Sequence, residues 1–313
     1  MFDIPCVAAS LRSVDTPLPS ENVGFTRHMI SRMVPHPHTN RILVAQEDGA
    51  LRWFDGRRWD FKFHEGVAEK LCPSFGGCVG AGDDEMLVWN SFRSMTLWSL
   101  DPLLSTRAFF EVPGHSITCA ARLGTQDAFA AGTGREGVHI FRRGERVAHR
   151  AFSEAATCMC SSQDGRKLFC GTDGCGPILR EVDVETGACR TVHDVFNGRP
   201  VHFLRTLDDG LMMVGTGQRV VLFDTRSSSP AFALHGHHDS LVDGMAVGED
   251  VYATCGKDGY VAIWSQRMRR WIAASHGHSR GVCAMSAFAD GRALLSAGRN
   301  CDVKVWSLVP CRV

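Results

Sequence analysis

The chain has 313 residues, 44% hydrophobic and 22% charged, and its 34 Lys and Arg balance 34 Asp and Glu. Zero formal charge gives bulk electrostatics no bias toward a nucleic-acid backbone or an anionic membrane, and no apolar run reaches the ~18 residues of a spanning helix. The opening MFDIPCVAAS lacks the basic leader and long apolar stretch of a secretory signal. With thirteen cysteines scattered singly, a cytoplasmic or nuclear protein with reduced thiols is expected.

In chain order, PCVAASL (5–11) reads as a strand and RSVDTPLPSEN (12–22), with two prolines, as a connector. Seven blocks of similar pattern follow, at about 24–63, 64–112, 113–152, 153–194, 195–234, 235–275 and 276–313. Each consists of short alternating runs, such as YATCG, YVAIW and RWIAA, split by Gly-rich or Asp-Gly turns such as KDGY, ADGR and QDGR. Such alternation is the pattern of strands, and no stretch of 12 residues carries a helical period. An aromatic or apolar residue closes one run per block: Phe54, Trp98, Phe141, Val182, Phe223, Trp264 and Trp306, at gaps of 44, 43, 41, 41, 41 and 42.

A repeat of this length means a propeller or a solenoid, and the strand content selects the propeller. The expected fold is all-β: one domain, 1–313, forming a seven-bladed β-propeller of four-stranded antiparallel blades. The last block supplies only three runs, at 281–288, 293–298 and 303–309. Residues 5–11 are therefore expected to add its fourth strand and close the ring, which covers two sheet edges.

In CGKDGYVAIW, Asp258 precedes Trp264 by six residues; Asn300 and Trp306, and Asp48 and Phe54, repeat that spacing. Gly-His pairs stand at Gly114-His115, Gly236-His237 and Gly277-His278. Together with the period, these features resemble the WD-repeat (WD40) β-propeller family over nearly the whole chain. The Trp-Asp dipeptide itself stands as Phe-Asp at Phe54 and Phe223 and as Trp-Ser at Trp98, Trp264 and Trp306. The resemblance implies a buried hydrogen-bonded set of His237, Thr254, Asp258 and Trp264 in blade six, and of His278, Ser296, Asn300 and Trp306 in blade seven. These polar residues are then structural, because a hydroxyl inside a sheet is not on a nucleophile elbow. No catalytic residue, cofactor or metal is expected. Blades two to five have lost much of the set: Arg135 and Gly217 stand at its Asp position in blades three and five, and blade four carries an insertion, TDGCGP.

Four cysteines of blade four, Cys158, Cys160, Cys170 and Cys175, could suggest zinc, but Cys-x-Cys is not a knuckle spacing. FRRG (141–144) matches a phosphoinositide-binding motif of propellers, yet Phe141 fills the closing position of its blade. LFDTR (222–226) resembles the docking pattern of cullin-ligase substrate receptors. Arg135, Arg199, Arg219, Lys257, Arg280 and Arg299 fall in turns that should emerge on one face, a candidate site for an acidic or phosphorylated peptide. Arg267, Arg269 and Arg270, among other cations interspersed with acids, belong to the opposite face. The function expected is a non-catalytic protein-interaction scaffold, a monomeric propeller serving as subunit or adaptor of a larger complex. The alternatives are a phosphoinositide- or RNA-binding propeller and a cullin-ligase receptor.

Overall fold

The computed structural model describes residues 12–14, 28–36, 38–47, 51–55, 75–82, 85–90, 93–100, 105–112, 116–124, 127–152, 154–173, 179–192, 199–207, 210–235, 238–289, 291 and 293–308. These contain no α-helix, hence none long and apolar enough to cross a membrane, and 27 strands. β1 is Arg12–Val14. Blade one holds β2 (Ile30–Pro35), β3 (Arg41–Gln46) and β4 (Leu51–Asp55). Blade two holds β5 (Phe75–Gly82), β6 (Glu85–Asn90), β7 (Ser94–Ser99) and β8 (Ser105–Glu111). Blade three holds β9 (Ile117–Arg122), β10 (Ala128–Thr133), β11 (Val138–Arg142) and β12 (Glu145–Arg150). Blade four holds β13 (Ala155–Ser161), β14 (Lys167–Asp173), β15 (Leu179–Asp183) and β16 (Cys189–Val192). Blade five holds β17 (Val201–Thr206), β18 (Leu211–Thr216), β19 (Arg219–Asp224) and β20 (Ser229–His235). Blade six holds β21 (Leu241–Gly248), β22 (Val251–Gly256), β23 (Tyr260–Ser265) and β24 (Arg270–His276). Blade seven holds β25 (Val282–Ala287), β26 (Ala293–Gly298) and β27 (Val303–Ser307). Every blade is an antiparallel meander, four-stranded except for the three described strands of blade one. Seven such sheets are the blade set of a seven-bladed β-propeller.

The chain divides into two compact units: Met1–Glu47, Leu51–His64 and Leu234–Val313 form one, and Asp48–Ala50 with Glu65–Ala233 the other. The first contains blades one, six and seven. Its N-terminal strand is β1, which pairs antiparallel with β27 through Arg12↔Ser307, Ser13↔Trp306 and Val14↔Val305. The fourth strand of blade seven does come from the N-terminal segment, but from the stretch expected as connector. Its prolines, Pro17 and Pro19, lie beyond Val14 and leave this pairing intact; residues 5–11 lie outside the described residues.

The seven period-marking residues all sit on the third strand of their blades and are all buried. Within each unit, Phe54, Phe141, Val182, Phe223 and Trp306 fill the seam between neighbouring sheets. In the first unit Phe54 meets Phe288 at 6.0 Å between blades one and seven, and Trp306 packs with Ile263 and Leu294 between blades seven and six. In the second unit Phe110 lies edge-on to Phe129 and Phe141 at 5.5 and 5.6 Å, and Phe169 is edge-on to Phe223 at 6.0 Å. In these five seams one apolar marker recurs, which accounts for the period there: loss of such a residue leaves a void between two blades.

Cys160 and Cys170 belong to these seams as small apolar residues. Burial pushes the Cys160 thiol up to about 12 and Cys170 well above the usual range, so both are protonated thiols near neutrality in the metal-free protein. Cys158 lies half-buried against the Val201 carbonyl, and Cys175 is outside the described residues.

The residue after the marker has a local role. Asp183 accepts from the backbone N–H of Thr186 at 2.7 Å, Asp224 from that of Arg226 at 2.8 Å, and Ser265 from that of Met268 at 3.2 Å. Each closes the turn into the fourth strand, as a short polar acceptor does. FRRG provides the same turn in blade three by other means. Arg143 and Gly144 stand at φ 50° and 88°, the left-handed pair of a two-residue hairpin loop.

Candidate functional site

Two hydrogen-bonded sets are complete. In blade six Trp264 Nε1 donates to Thr254 Oγ1 at 2.6 Å, Thr254 Oγ1 lies 2.9 Å from His238 Nε2, and His238 Nδ1 lies 3.0 Å from Asp258 Oδ2. In blade seven Trp306 Nε1 donates to Ser296 Oγ at 2.7 Å, Ser296 Oγ lies 2.7 Å from His278 Nε2, and His278 Nδ1 lies 2.7 Å from Asp302 Oδ1. A carboxylate only accepts and an indole N–H only donates, so the protons run one way: indole to hydroxyl, hydroxyl to Nε2, Nδ1–H to carboxylate.

Two of the expected members are replaced. The imidazole of blade six is that of His238; His237 lies outside the described residues. Asp239 N–H also donates to Asp258 Oδ2 at 3.0 Å, so the backbone next to His238 is tied to the same carboxylate as its ring. In blade seven the carboxylate is that of Asp302, in place of Asn300. Cys301, at φ 66°, turns the chain back so that Gly298 N–H donates to the Asp302 carbonyl at 2.9 Å, which brings the Asp302 side chain under the imidazole.

The order hydroxyl, imidazole, carboxylate is that of a hydrolase triad, but its placement differs. Thr254, Ser296 and His278 are fully buried, and each hydroxyl oxygen already receives an indole N–H. A nucleophile must reach a substrate carbonyl, and these oxygens face the inside of a blade.

Burial alone raises the Asp302 carboxyl, but the His278 hydrogen bond and charge, with Asn300 and Lys304, outweigh it and hold the group below the usual aspartate range. A carboxyl lowered by folding stabilises the fold above its unfolded value of about 3.9 and loses that contribution as pH falls through the folded value. Asp302→Asn should therefore flatten the acid limb of the stability curve below about pH 4. Urea midpoints between neutrality and pH 3 check this, and an unchanged limb would show that Asp302 is not coupled to folding.

Asp-Gly and Gly-His are joined across blades. The N–H groups of Gly277 and His278 donate to the Gly259 carbonyl at 3.0 and 3.2 Å. Gly259 has φ 82°, and a Cβ there would lie 2.0 Å from the His278 carbonyl oxygen. A Cβ on Gly277 would lie 2.4 Å from the Trp306 indole. Gly259→Ala should accordingly cost more than the ~1–2 kcal/mol of left-handed strain alone; an unchanged melting temperature would show that the two blades separate freely here.

The same backbone logic places the basic turns. Lys257 N–H donates to Ser240 O at 2.8 Å and Arg299 N–H to Gly281 O at 3.0 Å, each joining the turn after a blade's second strand to the segment before its first. Glu47 with Met29, and Gly134 with Ser116, repeat this in blades one and three. At the other end of each blade, Arg143 is joined to Asp127, Val184 to Arg166, Thr225 to Gly210 and Gln266 to Asp250. Lys257, Arg280 and Arg299 therefore share one end of blades six and seven, while Arg267, Arg269 and Arg270 stand at the other. A Cβ on Gly281 would meet the Lys257 carbonyl oxygen at 2.5 Å, so the Lys257 and Arg280 turns abut.

All three cations are exposed, and among the described residues none is in an ion pair. The carboxylates beside them, Asp258 and Asp302, are committed to the buried histidines. At the other ends of blades four and five, cations are paired internally: Lys167 with Glu181 at 3.4 Å and Arg226 with Asp224 at 3.3 Å. The latter pair belongs to LFDTR and folds that turn upon itself. In the second unit Arg199 lies over Gly217 beside Arg219 in blade five, and Arg135 occupies a separate turn of blade three.

The WD domain, G-beta repeat family matches residues 270–307, which run from β24 to the end of β27. Among curated relatives, cell division cycle 20.5, cofactor of APC complex, from Arabidopsis thaliana is 30% identical over 110 residues, 34% of this chain and 24% of that protein. Transducin beta-like protein 3 from Bos taurus is 25% identical over 237 residues, 68% of this chain and 29% of that protein. The chain thus spans about a quarter of the length of the relatives it matches. With the seven blades, the marker on each third strand and two complete sets ending on Trp264 and Trp306, the chain is a seven-bladed β-propeller that resembles WD-repeat proteins and carries a WD domain, G-beta repeat match in its last blade.

Proposed function

We propose that this protein is a non-catalytic interaction scaffold, a subunit or adaptor of a larger complex, which takes an acidic or phosphorylated peptide on the basic turns of blades six and seven. One observation carries the reading: Lys257, Arg280 and Arg299 are exposed, unpaired in ion pairs and held together by backbone contacts on turns backed by two fully bonded buried sets. Rigidly held turns lose little entropy on binding, and unpaired cations attract an anionic segment. That relatives are named as cofactors of a complex agrees with an adaptor role. The polar sets lie inside blades and offer no accessible nucleophile, in keeping with binding rather than catalysis.

The test is capture of partners from cells on wild-type protein and on a Lys257→Glu, Arg280→Glu, Arg299→Glu variant across a salt series. Selective, salt-sensitive loss of a protein partner from the variant is expected. Retention of every partner would contradict the reading, and loss of RNA or phosphoinositide vesicles in place of protein would transfer these turns to that ligand.

A further inference from the structure

Blade three holds a cluster that neither the buried sets nor the basic turns explain. His139 on β11 and His149 on β12 are direct cross-strand partners, and their rings stack at 4.4 Å and 19°. Glu136, in the turn before β11, places Oε2 3.8 Å from His139 Nε2. One donor atom from each of the three lies within 4.8 Å of the others. The hairpin dictates this arrangement: Arg143 and Gly144 turn the chain so that His139 and His149 emerge opposite each other on one face of the pair, where facing side chains are about 5 Å apart at Cβ.

A second observation is independent of that proximity. His139 is only 1% exposed, yet neither of its ring nitrogens has a hydrogen-bond partner. Such an orphaned buried group calls for an unseen water or ion. His149 is already oriented: its Nε2 lies 2.6 Å from the Glu136 carbonyl oxygen. A carbonyl can only accept, so Nε2 carries the proton and Nδ1 keeps its lone pair. A backbone bond of this kind orients metal-ligating imidazoles.

We propose that Glu136, His139 and His149 bind a divalent metal ion of the zinc class through two imidazoles and one carboxylate. Two nitrogens and one oxygen suit a borderline cation, and three protein ligands leave a fourth position for water or a partner's side chain. Metal–ligand bonds of about 2.0–2.1 Å bring donors to roughly 3.3 Å apart. A rotamer change of the partly exposed Glu136, with a small rotation of the His149 ring that keeps its Nε2 bond, can supply that closure while buried His139 stays in place. Arg146 adds positive potential near His139, and the Glu136 carboxylate offsets it. The sequence reading expected no metal; this cluster revises it.

The test is titration of chelator-stripped, reduced, full-length protein with Zn²⁺ by calorimetry, and with Co²⁺ by absorption. One stoichiometric site is expected, with a cobalt spectrum free of thiolate charge transfer, so that the cysteines are not its ligands. His149→Ala and Glu136→Gln, both at accessible positions, should each lower affinity more than tenfold, since loss of even an outer-shell partner costs about 10–100-fold. His276→Ala, an exposed histidine of blade six, should change nothing. The proposal is overturned by no stoichiometric binding, by equal affinity in wild type and both variants, or by thiolate bands that persist in them.

Discussion

Trp264→Ala should be among the most destabilising single changes in the chain. The indole is 1% exposed and donates to Thr254 at 2.6 Å. Truncating a buried Trp or Phe to Ala typically costs about 3–5 kcal/mol in lost burial and cavity, a large share of the ~5–15 kcal/mol that holds a domain folded. Trp264→Phe separates the two contributions. It keeps most of the ring but removes the N–H that satisfies Thr254, and should cost about 1–3 kcal/mol. Trp271, the cross-strand neighbour of Trp264, is 46% exposed, so Trp271→Ala should cost far less. Denaturant midpoints for the three variants check the ranking, and equal costs for Trp264 and Trp271 would remove the structural reading of the Asp-to-Trp spacing.

The second large effect is on binding. The Lys257→Glu, Arg280→Glu, Arg299→Glu variant changes the local charge by six units without touching a buried group. Exposed charges of this kind usually alter stability by less than about 0.5 kcal/mol each, so the melting point should stay close to wild type. Electrostatic steering raises association rates by roughly 10–10³-fold. Association with an acidic partner at low salt should therefore fall by a factor in that range, with a smaller effect at high salt, where the field is screened. Stopped-flow or surface-based rates across a salt series measure it. A loss that appears only in dissociation and ignores salt would point to apolar contacts instead.

The period was legible because every blade buries one apolar residue on its third strand, and the seven recur at nearly constant spacing. Identity within the turns was harder. Adjacent His237 and His238 cannot be ranked by spacing; it is the His238 ring that bonds Asp258 and Thr254. Asn300 fitted the six-residue rule, but the left-handed Cys301 delivers Asp302 to His278. An anionic carboxylate is also the stronger acceptor for an imidazole N–H. The N-terminal strand was expected one connector too early because three residues pairing with β27 leave only a faint alternation. His139 and His149 were missed because they are ten apart and unrelated until the Arg143-Gly144 turn is located. Two histidines placed almost symmetrically about an Arg-Gly hairpin turn would have been the signal.

The central claim is that partners dock on the blade ends carrying Lys257, Arg280 and Arg299. Its most direct test is photocrosslinking in cells, with a reactive side chain at each of these positions in turn and, on the other end of blade six, at Arg267, Arg269 and Arg270. The adducts are then read by mass spectrometry. Protein adducts from 257, 280 and 299, absent from 267, 269 and 270, are the expected result; adducts confined to 267, 269 and 270 would contradict it.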